Sequence, residues 1–454
     1  MPKRNAILLF GTCLVSLVAI AARERGDAGR RFGEVVSAIE RYYIEPVAAE
    51  PLVEAGLEAA VARLDANSAY LSGADRAALE SSLDQQFGGV GLELMLDPAA
   101  GRPTVVSPVG DSPAWRAGVA SGDQIVSVDG WTTAGQPLRE TVERLRGPVG
   151  EAVVVELVSP RKQETLDPAV LGDAAGEPRE VRLVREVVAV ESVHGDRRRA
   201  DGSWDWMLEG EPGVAYLRID SFGERTAAEF AAAVEAVAGE PDLRGLVIDL
   251  RGNPGGLLDA AVAVCDTLLS EGLIVVTRGR APQAAGVADE RRASPGAMLA
   301  DLPVAVLVDS LTASAGEIVA ACLQDAGRAT VVGSRTFGKG TVQSLLPLSD
   351  GRGLLKLTTS EYLRPSLEPI HRRPHADDAA TWGVRPDAGF EVAPTAAEVE
   401  RLRDWRRRRG VVPARGETVS QATPSPVLPG DVDSVLARAL EAIDASSGPP
   451  HPLP

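Results

Sequence analysis

Ser314 and Lys339 stand 25 residues apart, and together they supply a nucleophile and a base. Ser314 lies in Thr312-Ala313-Ser314-Ala315-Gly316-Glu317-Ile318, where an apolar strand pattern gives way to a helical one. A serine at such a turn has its hydroxyl at the C-terminal edge of the sheet, in the partial positive field of a helix N-terminus. That field favours a developing oxyanion, and the Ala315 amide is a natural donor to it. The serine still needs a base. None of the four histidines, His194, His371, His375 and His451, lies in a motif that sets it beside a nucleophile. A lysine can serve if desolvation keeps its amine neutral. Gln343 follows Lys339 by four residues, and on a strand this even spacing puts both on one face. An uncharged amide there orients the amine without holding it protonated as a carboxylate would.

Lys339 also completes GxxxxGK, from Gly333 to Gly338-Lys339. A phosphate loop needs a hydroxyl directly after its lysine and a helix whose amides face the phosphates. Here Gly340 takes that place, Thr341 comes one residue late, and Thr341 to Leu346 reads as a strand. Nucleotide binding is set aside. A second glycine turn, Asp249-Leu250-Arg251-Gly252-Asn253-Pro254-Gly255-Gly256, also follows an apolar strand. Its amides could form a nest for negative charge, or the glycines could serve only a tight strand–helix turn. With Ser314 and Lys339 on the same sheet edge, the better reading makes Gly255 the second half of an oxyanion hole.

The elements that must hold these residues alternate strand, turn and helix past about residue 212. Strands are expected at Val214–Ile219, Leu246–Leu250, Val304–Val308 and Thr330–Val332, with helices at Thr226–Ala238, Leu257–Leu269 and Gly316–Ala326. Such alternation predicts an α/β layer on a buried, mostly parallel sheet. Before it, residues 30 to 84 carry helical periodicity, broken by a turn at Leu64-Asp65-Ala66-Asn67-Ser68 and resuming at Gly73. From Phe87 the pattern changes to short strands: Val90–Met95, Thr104–Val106, Gln124–Val128, Val153–Val158 and, after a polar excursion over Arg161–Pro178, Glu180–Val184. After Val392 the chain is rich in Arg, Pro and Ser, with one last amphipathic helix near Val432–Ile443 and a basic run, Arg406 to Arg409, expected as a solvated helix end.

At 454 residues the chain is long enough for two or three domains, and with 4% aromatics their cores must be aliphatic. A net charge of −17 excludes nucleic acid as a general partner. Met1-Pro2-Lys3-Arg4 followed by an uncharged, mostly apolar run from Asn5 to Ala22 reads as an export signal. Ala19-Ile20-Ala21 could be cut, or the run could stay as an anchor, and both are left open. Cys265 and Cys322 lie in apolar helical patterns and are expected as buried thiols. His371 and His375 near Asp377 and Asp378 lack further ligands and read as a polar loop, so no metal or other cofactor is expected.

TASAGEI at 312–318, FGKGTVQ at 337–343 and DLRGNPGG at 249–256 resemble the carboxy-terminal processing peptidases, or tail-specific proteases, over roughly residues 30 to 395. The resemblance implies a crotonase-like (Clp-protease-like) α/β core with an inserted PDZ domain, an N-terminal helical segment and a C-terminal tail helix. It implies Ser314 as nucleophile, Lys339 as general base and Gln343 as the residue that orients the lysine. Asp111 to Val119 running into Gly122 to Gly130 is similar to the PDZ helix-turn-strand signature, and Phe87-Gly88-Gly89-Val90-Gly91-Leu92 to its carboxylate-binding loop. There the Gly88, Gly89, Val90 and Gly91 amides would take a peptide C-terminus while the Val90–Leu94 edge accepts the chain by β-augmentation. Arg146, in Leu145-Arg146-Gly147, resembles a hinge arginine that couples PDZ binding to activation. The expected boundaries are 1–27 signal or anchor, 28–85 helical region, 86–187 PDZ domain, 188–395 peptidase core and 396–454 linker and helix. The expected partners are proteins or peptides with free C-terminal tails, met in the periplasm or on the outer face of a bacterial membrane. Contact with the membrane surface and assembly into a homo-oligomer are left open. The competing reading is a PDZ scaffold on a catalytically silent core. Gly316 where many members have serine, Asp65-Ala66-Asn67-Ser68 for a more usual Asp-Pro-His-Ser, and a longer Arg364–Trp382 stretch depart from the family's pattern.

Overall fold

The computed structural model describes residues 27–97, 100–159, 176–279, 289–349, 351–377, 379–413 and 433–446. The export segment and most of the 161–178 excursion lie outside them. Two compact units divide the chain, Met1–Arg76 with Gln343–Thr358 and Ala77–Val342 with Thr359–Pro454.

In the first unit, helices α1 (27–42) and α2 (Ala49–Val61) precede the expected turn, where Asp65 Oδ1 accepts the amides of Asn67 at 2.7 Å and Ser68 at 2.9 Å. The turn leads into a short strand that periodicity did not predict, β1 (Ala69–Ser72), before helix α3 (Gly73–Asp84). The β1 pairing is antiparallel, with Ala69 opposite Lys356 and Ser72 opposite Gly353.

The larger unit begins at Ala77, within α3, and continues with β2 (Gln86–Gly89), β3 (Leu92–Asp97), β4 (Arg102–Pro108), the short helix α4 (Pro113–Arg116) and β5 (Gln124–Val128). It continues through β6 (Trp131–Thr132), α5 (Leu138–Leu145), β7 (Ala152–Val158), β8 (Arg179–Val184) and β9 (Glu186–Ala189). Strands run in the order β3-β4-β5-β7-β8, so β3 is an edge strand among the described residues. Val105, Ile125, Val128, Val153, Val155 and Leu157 fill the interior between this sheet and its helices. The short strands that follow between residues 193 and 205 are not legible in the sequence.

The second sheet runs β10-β13-β14-β17-β18, built from β10 (Val193–His194), β13 (Val214–Ile219), β14 (Gly245–Asp249), β17 (Val304–Val308) and β18 (Thr330–Gly333), with β11 (Arg197–Arg198) and β12 (Trp204–Asp205) forming a separate hairpin. The last four strands are parallel. Gly245–Asp249 and Val304–Val308 are buried at every residue, as expected where both faces of a parallel sheet are covered. Ala215, Leu217, Ile219, Leu246 and Ile248 face the helices α6 (Thr226–Ala238), α7 (Leu258–Leu268) and α8 (Ala315–Asp325). Val214, Tyr216, Val247, Ala305 and Leu307 face the last helix, Ser434–Ser446, through Val435, Leu436, Leu440 and Ile443. Each such aliphatic chain is worth about 1.5–3 kcal/mol when fully buried. The last helix is therefore a layer of the core and no appendage. Antiparallel β15 (Leu273–Gly279) and β16 (Asp289–Arg292) flank this layer, and β18 is followed by β19 (Thr341–Pro347) and β20 (Gly353–Leu363).

The basic run corrects the sequence expectation. The run does end a helix, α9 (Ala396–Arg409), but that helix turns Arg406 onto buried Asp249 and Arg409 onto Asp196 and, at 2.6 Å, Glu209. These are internal ion pairs, and a solvated helix end describes only Arg407 and Arg408. Cys265 and Cys322 are buried free thiols, as expected.

Candidate active site

Strands β14, β17 and β18 are parallel neighbours, with Asp249 opposite Leu307 and Leu307 opposite Val332. Their C-terminal ends therefore release three loops at one edge: 250–256, 309–314 and 334–340. That edge is where open α/β sheets bind ligands. The loops are laced together. Thr312 Oγ1 donates to the Leu250 carbonyl at 2.8 Å, the Ala313 amide to the Asn253 carbonyl at 2.9 Å, and the Phe337 amide to the Thr312 carbonyl at 3.0 Å.

Ser314 caps α8 with φ 54° and ψ −116°, a region that side chains other than glycine avoid. Holding a residue there costs about 1–3 kcal/mol, and such strain clusters at functional turns. A sharp strand-to-helix turn of this kind is how hydrolases expose a nucleophilic serine. Gly255 makes room for it: a Cβ at that position would lie 2.6 Å from Ser314 Cβ and 2.9 Å from the Ala315 nitrogen, on a backbone with φ 97°. Residue 255 can only be glycine.

The two expected oxyanion donors differ. Ala315 is the first residue of α8, so its amide has no acceptor within the helix. The Gly255 amide instead donates to Asn253 Oδ1 at 2.8 Å, while Asn253 Nδ2, fully buried, donates to the Ile219 carbonyl at 2.7 Å. In this structure one donor is open and one is engaged.

Lys339 is joined to Ser314 through a residue that the reading of the motif passed over. Glu317, fully buried, accepts the Ser314 amide at 2.9 Å and the Lys339 amide at 2.8 Å on Oε2, and the Gly338 amide at 2.7 Å and the Thr336 hydroxyl at 2.5 Å on Oε1. Burial raises its carboxyl above the ordinary glutamate value, against four hydrogen bonds that favour the anion. Its spacing from Ser314 fits the S-x-x-E of a capping box, a signal that the sequence did carry. The glycines around Lys339 serve packing: a Cβ at 340 would lie 2.3 Å from the His371 nitrogen, and one at 338 would lie 2.8 Å from both Arg372 and Trp382. A strand follows in place of a helix, as expected, and GxxxxGK here holds a lysine rather than phosphate.

Strand β19 begins at Thr341, so Lys339 stands before it and strand alternation alone does not put Lys339 and Gln343 on one face. Gln343 belongs to the smaller unit, where its Nε2 donates to Thr358 Oγ1 at 3.3 Å. Thr358 in turn donates from its Oγ1 to Asp65 Oδ1 at 3.2 Å and from its amide to Ser68 Oγ at 3.1 Å. The departure at Asp65 to Ser68 thus keeps a structured contact. At Gly316, the other departure near the site, a Cβ would press on Thr312 Cγ2 at 3.2 Å and Asn253 Oδ1 at 3.4 Å, so a side chain there needs Thr312 to give.

In the PDZ region, the Val90 carbonyl accepts the Ala114 amide at 3.0 Å and the Gly91 carbonyl accepts the Val109 amide at 3.0 Å. A trans peptide sends the following N–H the opposite way, so the Gly91 and Leu92 amides face away from these partners. Gly88 and Gly89 instead lie in a ladder with β9, opposite Val187 and Glu186. Arg146 stands over the Phe87 ring at 4.8 Å.

Residues 213–389 match peptidase family S41, and residues 104–159 match the PDZ domain family. A carboxy-terminal-processing protease of Bartonella bacilliformis is 34% identical over 339 residues, covering 74% of this chain and 71% of that one. The carboxy-terminal processing protease CtpB of Bacillus subtilis is 30% identical over 367 residues, covering 80% and 69%. The solved photosystem II D1 C-terminal processing protease is similar at 27% identity over 84% of this chain and 97% of that one, with a TM-score of 0.42. With its mixed α/β core and PDZ region, the chain belongs to the carboxy-terminal processing proteases of peptidase family S41, a serine-type peptidase acting on protein or peptide substrates.

Proposed function

We propose that Ser314 is the nucleophile and Lys339 the general base of this peptidase, with Gln343 orienting the lysine. Ser314 Oγ attacks the scissile carbonyl, Lys339 Nζ takes its proton and returns it to the leaving amine, and water hydrolyses the acyl-enzyme. The Ala315 amide receives the oxyanion. The Gly255 amide joins it by exchanging Asn253 Oδ1 for the substrate oxygen. The observation that carries this reading is the Glu317 carboxylate, which ties the Ser314 amide to the Lys339 amide at the sheet edge where α/β folds do chemistry. A silent scaffold has no use for a serine held at positive φ beside an obligatory glycine.

The substrate is a protein whose free C-terminal tail docks at Gly88 to Gly91 and along the β3 edge, with Arg146 coupling that event to turnover. The outward amides of Gly91 and Leu92 and the unpaired edge of β3 support it. The charge pattern of the first 23 residues supports export to the periplasm or the outer membrane face, where contact with the lipid surface and self-association are part of the same proposal. Among the described residues no helix is long and apolar enough to cross a membrane. Paired peptides ending in a free apolar carboxylate or its amide test the recognition half. The free acid is expected to bind more tightly and be cut faster, since charge-assisted bonds are worth about 1.5–3 kcal/mol each. Equal affinity and turnover would remove the carboxylate from the account.

A further inference from the structure

Gln85 follows the last residue of α3 and stands directly before β2, at the entrance to the PDZ region. Its backbone has φ 54°, the left-handed conformation in which glycine usually ends a helix. Here a glutamine keeps that place with its side chain buried. Its partners lie across the fold, in the segment that leads from β13 into α6. Gln85 Oε1 accepts the Arg225 amide at 2.9 Å, and its Nε2 donates to Thr226 Oγ1 at 3.3 Å. Gly223 is the seat for this side chain, since a Cβ there would lie 2.4 Å from Gln85 Cδ. The Glu224 amide donates to the Leu83 carbonyl at 3.0 Å, and the Val190 amide, just past β9, donates to the Gln85 carbonyl at 2.9 Å. The chain thus enters and leaves the PDZ region at one buried joint. The segment that this joint grips backs the oxyanion turn. Phe222 donates its amide to the Gly255 carbonyl at 3.0 Å and accepts the Leu257 amide at 2.7 Å. A Cβ at Gly256 would lie 1.9 Å from the Phe222 oxygen, so the two backbones meet with no space between them. Asn253, which holds the Gly255 amide, is itself tied to the Ile219 carbonyl. Gly255 is therefore held at both its carbonyl and its amide by way of segment 219–222.

We propose that Gln85 is a positioning residue for the peptidase reaction: it fixes the segment behind the glycine turn so that Phe222 aims the Gly255 amide at the oxyanion. This rests on the reading of Ser314 as nucleophile and Gly255 as an oxyanion donor. Gln85 touches no reacting atom. It acts on Gly223, Arg225 and Thr226, and their segment acts on Gly255. Once the Gly255 amide leaves Asn253 Oδ1 for the substrate oxygen, the Phe222 bond is what still orients that peptide. Donors in such a hole work because they are aimed before the charge appears, so the support behind them enters the rate. Ending α3 does not account for the residue, because glycine would end it at less strain. The two side-chain bonds to Arg225 and Thr226 are what glutamine adds. Removing an oxyanion donor outright costs about a hundred- to a thousandfold, so a loosened donor is expected to cost on the order of tenfold.

The test uses the full chain with Gln85→Gly, which deletes the side chain and suits the backbone conformation. Fluorophosphonate labelling, peptide kinetics and inhibition by a peptide aldehyde, whose hemiacetal with Ser314 puts an oxygen into the hole, are compared with the parent. The glycine variant is expected to keep its KM, because substrate binding does not use the hole, while kcat and the labelling rate fall on the order of tenfold. The aldehyde is expected to inhibit more weakly by a similar factor. A merely structural role would lower the melting temperature and leave the ratio of aldehyde inhibition constant to KM unmoved, and an unmoved ratio overturns the inference. If the glycine variant fails to fold, Gln85→Met, which fills the same space and makes neither bond, decides by the same ratio. A parent that is not labelled at Ser314 instead brings down the reading of the site, and this inference with it. A labelled parent whose variants keep its rates removes Gln85 alone.

Discussion

The Glu317 carboxylate accepts the backbone amide of Lys339 at 2.8 Å, on the same oxygen that accepts the amide of Ser314 at 2.9 Å. One buried side chain therefore fixes the separation of the two loops. Three of its partners are amides that can only donate and the Thr336 hydroxyl donates as well, so the bonds favour the anion against the burial that raises its pKa. Glu317→Gln turns an N–H toward donors, breaks two bonds and leaves buried groups unpaired, a cost of about 3 kcal/mol or more. A large fall in melting temperature and at least a tenfold loss in kcat are expected. A variant as stable and active as the parent contradicts the clamp.

Gly255 admits no side chain beside Ser314. Gly255→Ala is expected to displace the nucleophile by the better part of an ångström, and misplacement on that scale costs about a hundredfold in rate. Steady-state kinetics on a peptide substrate should show the loss in kcat rather than in KM. Retained kcat would mean that the contact between 255 and 314 is slack.

Lys339 is expected to act as a neutral amine. Lys339→Arg should then be inactive at every pH between 6 and 10, because arginine stays protonated across that range. Parental activity should rise with pH until the amine is free. An active arginine variant would show that the position supplies charge alone.

The glycine turn is anchored from the C-terminal region. Arg251 pairs with Asp249 and with Asp433, each at 2.6 Å, and Arg406 also reaches Asp249. Burial works against ionising Asp249, yet Arg251 and Arg406 hold its carboxyl well below the usual range. A lowered folded value adds stability above the unfolded value of 3.8, and that stability drains away as pH falls below about 4. Asp433→Asn is expected to cost about 3 kcal/mol at neutral pH by leaving a buried guanidinium half-paired. It should also slow catalysis, since Arg251 stands four residues before Gly255. Urea unfolding at pH 7 measures the first effect, and a change below about 0.5 kcal/mol would rule out a coupled network.

The core was legible where the pattern is local. The strands Gln124–Val128, Val214–Ile219 and Val304–Val308 and the helix Thr226–Ala238 form over the residues that periodicity marks. Buried parallel strands then bring Ser314, Gly255 and Lys339 to one edge, because each follows the C-terminus of a neighbouring strand. What escaped the sequence depends on distant pairing. Arg406 and Arg409 look solvated in a run of four arginines, and only the fold sets Asp249, Asp196 and Glu209 beside them. Tyr362 meets the Gly340 carbonyl beside Lys339 through strand pairing that no spacing announces. Glu317 was readable from its capping-box spacing, but its reach to Lys339 was not.

The nucleophile is tested most directly by covalent labelling. The full chain is incubated with a fluorophosphonate, digested and searched by mass spectrometry for the modified residue, with Ser314→Ala as the companion. The account predicts a single adduct on Ser314, slower at acid pH and absent from the alanine variant, which should fold and bind tail peptides as the parent does. An adduct on another serine, or peptide cleavage by Ser314→Ala at the parental rate, would contradict it.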